Sequence, residues 1–302
     1  MGFILDPLYA AVSGIMITIH KLLSPIFGEN SGVTWSLSIM GLVVLIRIIL
    51  IPLFVKQIKS QRAMTALQPQ LKAIQNKYKD DRQKQSEEMM KLYKDHKTNP
   101  LASCFPILAQ APVMFALFTV LNGIAHDKPH GFMKGDYLTS AAQAKFFGSP
   151  ISETFLGSDK ITVKIVTVLL IAFMSATTFT TQKQLMTKGM PKMDASNNMM
   201  LQQQKIMLYL FPVIFAISGV NFPVGVLIYW STTNLWTWGQ QFYVIKRNPT
   251  PGSPAYEELQ RKRAHKAKLD GKEIATDATP EVEAPKAEGQ RKQPKKAKKK
   301  KK

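Results

Sequence analysis

Five apolar segments, each long enough or nearly long enough to cross a bilayer, alternate with charged connections along the chain. A membrane-spanning helix needs roughly 20 mainly apolar residues. The five segments contain no Asp, Glu or His. The pattern therefore predicts five transmembrane helices, at residues 33–55, 100–124, 161–182, 204–220 and 222–245.

The charges of the connections predict the orientation of these helices. Residues 56–99 carry eleven Lys or Arg and residues 246–302 carry eighteen, and basic connections of this kind stay in the cytoplasm. Residues 125–160 carry four basic and four acidic residues, which suits the outer side. Residues 183–203 then form an inner loop, with the N-terminus outside and the C-terminus inside.

Residues 1–32 precede the first of these segments and are less uniformly apolar. The run Leu8–Ile19 is short for a span, and Asp6, Ser13, His20 and Ser24 fall within one arc of a helix. We expect an amphipathic helix that lies on the outer membrane surface. A sixth span is the alternative, and it conflicts with the orientation that the charges predict. The segment lacks the basic start and the cleavage site of a secretory signal.

Residues 56–99 are polar but show helical periodicity. Two apolar stripes predict a cytoplasmic helical hairpin that turns at residues 79–82. The stripes comprise Met64, Leu67, Leu71, Ile74 and Tyr78, then Met89, Leu92 and Tyr93. They either pack on each other or, through methionines that repack easily, form an adaptable contact surface. The whole pattern predicts an all-α polytopic membrane protein.

Composition narrows the range of functions. The chain has 302 residues and a formal net charge of +20, and Cys104 is its sole cysteine, which excludes an internal disulfide. The spans lack the paired acids, the serine with a base and the histidine ligands that intramembrane proteolysis needs, and no glycine-rich phosphate loop is present. We therefore expect neither an enzyme nor a bound cofactor.

The segment 246–302 forms a basic tail. It combines 18 basic with 8 acidic residues, hence a net charge of +10. From Gly252 onward it has few large apolar residues, a composition typical of disorder. Its last lysines are either solvated, in contact with anionic lipids, or bound to a phosphate backbone. They are Lys295, Lys296, Lys298, Lys299, Lys300, Lys301 and Lys302.

Arg47 is the only charge in the first apolar segment. Estimates of the cost of an arginine at the bilayer centre range from about 3 to above 10 kcal/mol, and no acid in the spans can pair with it. It precedes Val55 by eight residues, roughly 12 Å at 1.5 Å per residue, so snorkelling alone is a long reach. A water-filled cavity or an acid from another molecule would also compensate this charge.

Polar residues recur at helical spacing in several of the apolar segments. Such residues commonly hold membrane helices together, but several seams beside an unpaired arginine favour a shared hydrophilic groove. The predicted groove contains Arg47 and Ser36 from the first segment, Gln110 from the second, Ser175 and Thr178 from the third, and Ser231, Asn234, Trp238 and Gln241 from the fifth.

Two stretches resemble the YidC/Oxa/Alb family of membrane protein insertases. They are Val44–Phe118, which begins VLIRIILIPLFVKQIKSQRAM, and Leu210–Arg247, which begins LFPVIFAISGVNFPVGVLIYWSTTNLW. The resemblance implies a groove, open to the cytoplasm and to lipid, with a positive charge in its first core helix. Arg47 stands at that position. Other family groove positions, polar or aromatic, are matched by Gln110, Trp230 and Asn234.

The resemblance implies an insertase and membrane chaperone. Nascent membrane proteins would be its clients, and the ribosome would be a partner through ribosomal RNA bound to the tail. A partnership with the general secretory translocon is left open. The compact layout, without a lipobox cysteine or a large domain before the first core span, is similar to Gram-positive members and predicts their plasma membrane as its location. The alternative function is a channel or anion transporter in which Arg47 attracts the substrate.

Overall fold

The computed structural model describes residues 2–96, 98, 105–190 and 198–269. The final lysines of the tail and Cys104 lie outside the described residues. The elements are α1 (Gly2–Phe27), α2 (Gly32–Ile49), α3 (Ile51–Ala66), α4 (Gln68–Lys77), α5 (Arg82–Asp95), α6 (Phe105–Ala125), α7 (Asp136–Gln143), β1 (Lys145–Phe146), β2 (Ser149–Pro150), α8 (Ile161–Gln184) with a π-helical turn (Leu185–Gly189), α9 (Asn198–Gly219), α10 (Val224–Arg247) and α11 (Pro254–Leu269).

The predicted all-α class is confirmed, since helices account for most of the described residues. By length and composition, three helices within the described ranges could cross a membrane. They cover Leu5–Phe27, Gly32–Ile49 and Ile161–Gly189. Shorter apolar helices cover Gln110–Ala125 and Leu208–Gly219.

The first predicted span contains two helices rather than one. Helix α2 begins after its N-cap Ser31, and a break at Leu50 separates it from α3. Pro52 has no N–H to donate to the Ile48 carbonyl, and its ring crowds the preceding turn. The continuous helix predicted for residues 33–55 is therefore interrupted at the turn that contains this proline.

A core of buried apolar side chains joins α1, α2, α6, α8 and α10. It includes Met16, Trp35, Ile39, Leu42, Leu117, Val120, Val163, Val166, Val226 and Ile228. The buried residues of α2 all lie between Thr34 and Val43, and those of α10 between Val224 and Ser231. These two helices are therefore buried where they begin and more exposed where they finish.

The connection between α6 and α8 covers the end at which α2 and α10 begin. The amide of Gly225 in the first turn of α10 has no partner within the helix, and it donates to the Ile151 carbonyl at 2.8 Å. At the start of α2, a Cβ on Gly32 would overlap the Lys145 carbonyl oxygen. Only glycine allows the backbone of β1 to approach α2 this closely.

Strands β1 and β2 form an antiparallel hairpin within this connection. Phe147 and Gly148 make its two-residue turn, with φ of 48° and 79°. Two central residues with positive φ are typical of a type I′ turn, whose twist matches that of the strands.

Helix α1 packs against the same connection along much of its length. Near its start, the Tyr9 ring lies 5.3 Å from the ring of His130. Towards its end, the Lys21 ammonium lies 5.8 Å from the centre of the Tyr137 ring. Both parts therefore contact the short segment that follows α6, while α1 also packs on α2, where a Cβ on Gly41 would lie 3.3 Å from the Ile19 side chain.

Helices α4 and α5 form a hairpin within residues 56–99. The turn between them covers residues 78–81. Asp81 caps α5, since its Oδ1 atom accepts a hydrogen bond from the Lys84 amide at 3.0 Å. The side chains of α5 are exposed or half-buried, so this hairpin has no deep core of its own.

Helix α11 corrects the prediction for the tail. Residues 1–260 form one compact unit and a second begins at residue 261. Ser253 caps α11, because its Oγ atom accepts from the Tyr256 amide at 3.3 Å. Glu257 in the first turn and Lys266 and Lys268 in the last complement the helix dipole. The disorder predicted from Gly252 onward is therefore wrong for α11, since composition does not register caps and end charges.

Candidate functional site

A small cavity surrounds Arg47 between α2, α6 and α10. Its volume is about 10 Å³, which is roughly the room that one water molecule needs. It is lined by Val43, Ile46, Arg47, Gln110, Val113, Met114, Leu117, Tyr229 and Thr233. The lining combines four polar with five apolar side chains, a mixture typical of binding sites.

Arg47 is held where a cation is least costly within its helix. It is half-buried and lies in the last turn of α2, where the helix dipole favours positive charge. Its guanidinium carbon lies 5.5 Å from the centre of the Phe54 ring, within reach of a cation–π interaction. Across the described parts of the chain, no carboxylate forms an ion pair with it. The site therefore presents a positive charge that the protein itself leaves without a counter-ion.

Tyr229 and Thr233 face Arg47 from α10, and sequence analysis missed both. Tyr229 is 6% exposed, and both residues line the cavity. The two residues are four apart and lie on one face of the helix. Each precedes by one residue a predicted groove position, Trp230 and Asn234. The available signal was therefore a second polar face, rotated by about 100° from the predicted one.

The structure brings Arg47 and Gln110 into one cavity and distributes the other predicted groove residues elsewhere. Ser36 and Ser231 are buried, and their hydroxyls have no hydrogen-bond partner. The Trp230 ring packs edge to face on Phe222, at 4.8 Å between ring centres.

The remaining predicted residues lie on α8 and α10, outside the lining of the cavity. Ser175 donates to the Pro212 carbonyl of α9 at 3.4 Å, the kind of hydrogen bond that joins membrane helices. Trp238 is 37% exposed and stacks on Phe242 at 6.4 Å. The others are half-buried and do not line the cavity: Thr178, Asn234 and Gln241.

Helices α8 and α9, outside the cavity, carry exposed apolar side chains. Large hydrophobic residues are exposed on both helices, far more densely than on the surface of a water-soluble protein. They include Ile165, Val168, Leu169 and Phe173 on α8, and Ile206, Leu210, Val213, Ile214 and Ile217 on α9. These faces suit contact with lipid or with another apolar helix.

Comparison with known proteins identifies the family. The sequence profile of the family described as 60Kd inner membrane protein matches residues 26–251. The chain belongs to this family. A relative named membrane protein insertase YidC, from Streptomyces avermitilis, is 53% identical over 270 residues, which cover 85% of this chain and 63% of the relative. The chain thus spans less than two thirds of that YidC protein.

A second relative has the same name, and a solved structure has a similar fold. One from Tropheryma whipplei, strain TW08/27, is 36% identical over 277 residues, which cover 86% of this chain and 89% of the relative. A crystal structure of an active YidC insertase with the first transmembrane domain resolved has a TM-score of 0.50 and 24% identity, over 77% of this chain and 46% of that one. The crystal structure supports the fold alone. Membership of the YidC family, together with the apolar helices, identifies the chain as a bacterial membrane protein.

Proposed function

We propose that the chain is a membrane protein insertase and chaperone. It receives hydrophobic segments of nascent or newly made proteins in a groove at Arg47 and releases them laterally into the bilayer. The observation that carries this proposal is the half-buried guanidinium of Arg47, which lies between three helices without a carboxylate partner in the described residues. The name that the relatives share supports the same activity.

The groove works by transient charge compensation. Surrounding hydrocarbon keeps the field of Arg47 stronger than it would be in bulk water. Acidic or polar residues that flank a client's hydrophobic segment pair with the guanidinium, and this pairing offsets the cost of their entry into the membrane. The apolar segment meanwhile contacts the exposed faces of α8 and α9 and moves into lipid. Because the cavity holds about one water molecule, it must widen when a client enters.

The proposed topology has five spans, with the N-terminus outside, the C-terminus inside and α1 on the outer surface. The hairpin of α4 and α5 then lies in the cytoplasm, where it meets clients first. The eleven basic residues of segment 56–99 support this orientation. The contacts of α1 with the connection that follows α6 support its proposed place at the outer surface. The groove opens at the inner end, where α2 and α10 are more exposed.

Substitution of Arg47 tests the proposal. In liposomes, Arg47→Ala should reduce insertion of clients with an acidic translocated tail about tenfold or more, since hydrogen bonds to charged groups contribute roughly 1.5–3 kcal/mol. Arg47→Lys should retain most activity, because the role needs charge rather than a bidentate fork. Arg247→Ala removes the same charge from an exposed position at the end of α10 and is the matched control. Unchanged insertion by Arg47→Ala would refute the groove mechanism.

The same liposomes separate this function from a channel or anion transporter. Loaded with a small anion, they should retain it while the protein inserts its clients. The packed outer ends of α2 and α10 argue against a continuous path for solutes. Anion flux that disappears in Arg47→Ala, without client insertion by the wild-type protein, would favour the transporter.

The basic tail is the part of the chain that we expect to bind partners at the inner membrane surface. We expect Lys295, Lys296 and Lys298–Lys302 to bind ribosomal RNA, with anionic lipids as a second target. Deletion of residues 290–302 should weaken ribosome binding and flatten its dependence on salt, because fewer counterions are released. An unchanged salt slope would contradict this role. The general secretory translocon is a further candidate partner, and the Gram-positive plasma membrane is the proposed location.

A further inference from the structure

A second hollow lies at the other end of the bundle, where α1 meets the connection that follows α6. Its volume is about 570 Å³, far larger than the cavity at Arg47. Its lining combines charged, aromatic and aliphatic side chains, namely Ile17, Lys21, Phe132, Lys134, Asp136 and Tyr137. Neither the groove nor its mechanism uses any of these residues.

The charges of the hollow favour an anion. Lys21 and Lys134 are both exposed and supply two ammonium groups, against the single carboxylate of Asp136. The Tyr137 ring, 5.8 Å from the Lys21 ammonium, holds one of these cations over the hollow. Ile17 and Phe132 add an apolar wall. An anion that carries an apolar portion therefore fits the lining better than a simple ion does.

The hollow lies at the boundary between the apolar bundle and its polar connection. His20, next to Lys21, packs on Trp35 in the first turn of α2, with 4.1 Å between the centres of the tilted rings. Phe132 follows the last residue of α6 by seven positions. Leu22 and Ile26 of α1 are 70% and 73% exposed. Apolar side chains this open, beside lysines, are typical of helices at the level of lipid headgroups.

We propose that this hollow binds the headgroup of an anionic phospholipid such as phosphatidylglycerol. The phosphate lies between Lys21 and Lys134, and the glycerol and first acyl carbons lie against Ile17 and Phe132. The bound lipid thereby anchors α1 against the connection after α6. The inference uses the position of α1 and not the insertion mechanism, so the two can fail separately.

Photocrosslinking within a bilayer locates the lipid. The full-length protein is placed in phosphatidylcholine vesicles that contain a minority of phosphatidylglycerol with a photoreactive group near the glycerol. Modified residues are then mapped by mass spectrometry, which separates this hollow from the basic tail. We expect crosslinks around Ile17, Phe132 and Tyr137. The same probe built on phosphatidylcholine should give about tenfold fewer.

Single variants test the charges. Lys21→Gln and Lys134→Gln should each lower the crosslink yield at the hollow about fivefold, since one cation near an anionic surface is worth roughly 1 kcal/mol. Asp136→Asn should raise the yield, because it removes the only repulsive charge of the lining. Lys128→Gln, a matched loss of charge in the same connection but outside the hollow, should leave the yield unchanged.

Three outcomes would overturn the proposal. Equal crosslinking by the two headgroups would show that charge is not recognised. An equal loss in Lys128→Gln would show that the effect belongs to the general surface potential. Competition by millimolar inorganic phosphate would identify a site for soluble anions rather than for lipid. In each case, insertion by the wild-type protein and its dependence on Arg47 would stand as a separate result.

Discussion

The two ends of α2 and α10 show how one bundle combines a stable core with a working groove. At the end where both helices begin, Trp35 is fully buried and donates to the Ser140 hydroxyl at 3.0 Å. At the end where they finish, Arg47 shares a small cavity with Tyr229, and Trp238 is 37% exposed. The first end therefore maintains the fold, and the second leaves side chains available to a partner.

This difference in packing between the two ends explains why α2 tolerates an arginine at position 47. Close packing around a charge without a partner costs several kcal/mol, because burial removes its hydration. The cavity, the Phe54 ring and the end of α2 surround Arg47 with partial compensation instead. A charge at Ile39, which is fully buried, would have none of these. Whether a charge on α2 is tolerated or destabilises the protein therefore depends on its position along the helix.

The largest expected effect is a difference in stability between alanine variants of two tryptophans, one at each end. Trp35→Ala should destabilise the protein by about 3–5 kcal/mol, the usual cost of removing a buried tryptophan. Trp238→Ala should cost less than about 1 kcal/mol, since exposed substitutions have small effects, although client crosslinking there should fall. Thermal unfolding in detergent measures both. Similar losses of stability in the two variants would show that the ends are equally packed.

Alanine substitutions at two glycines compare the stability of the two ends a second time. In Gly32→Ala the new methyl would overlap the Lys145 carbonyl, and such overpacking costs about 1–3 kcal/mol or more. Gly239 of α10 has no atom within 4 Å of the corresponding position, so Gly239→Ala should stabilise the helix by up to about 1 kcal/mol. Melting temperatures should therefore move in opposite directions. A fall in both would contradict an open end near Gly239.

The smallest expected effect concerns Glu153 in the connection between α6 and α8. Burial raises the pKa of its carboxyl, but hydrogen bonds from Lys160 and Ser158 and the charges of Lys160 and Lys145 outweigh burial and hold that pKa below its ordinary value. Because the folded pKa is the lower one, the stabilisation is present above the unfolded pKa and is lost as pH falls through the folded pKa.

Glu153→Gln should accordingly cost less than about 1 kcal/mol at neutral pH, as an exposed ion pair does. The difference in melting temperature from the wild type should vanish in acid. Asp159→Asn, which removes an exposed neighbouring carboxylate, is the matched control for the loss of one negative charge. A constant difference between Glu153→Gln and the wild type at all pH values would contradict a stabilising role for this ion pair.

Several features followed from the sequence alone because they depend on composition or on local order. The apolar runs predicted an all-α membrane protein, and the ordered motifs around Arg47 and in the last span pointed to the family. Arg47 and Gln110 were predicted as groove residues and share the cavity. Each of these inferences needs only the identity of a residue or the length of a run, and the bilayer restricts an apolar run of that length to a helix.

The packing of the folded chain determines which helix faces meet. Spacing identifies the residues on one face of α10, but not the rotation of that helix against α2, and one residue of rotation replaces Trp230 and Asn234 by Tyr229 and Thr233 at the cavity. The position of α1 depends likewise on contacts with a connection more than a hundred residues away. Such contacts are set by packing and hydrogen bonds between distant segments, and the pattern within any one segment does not contain them.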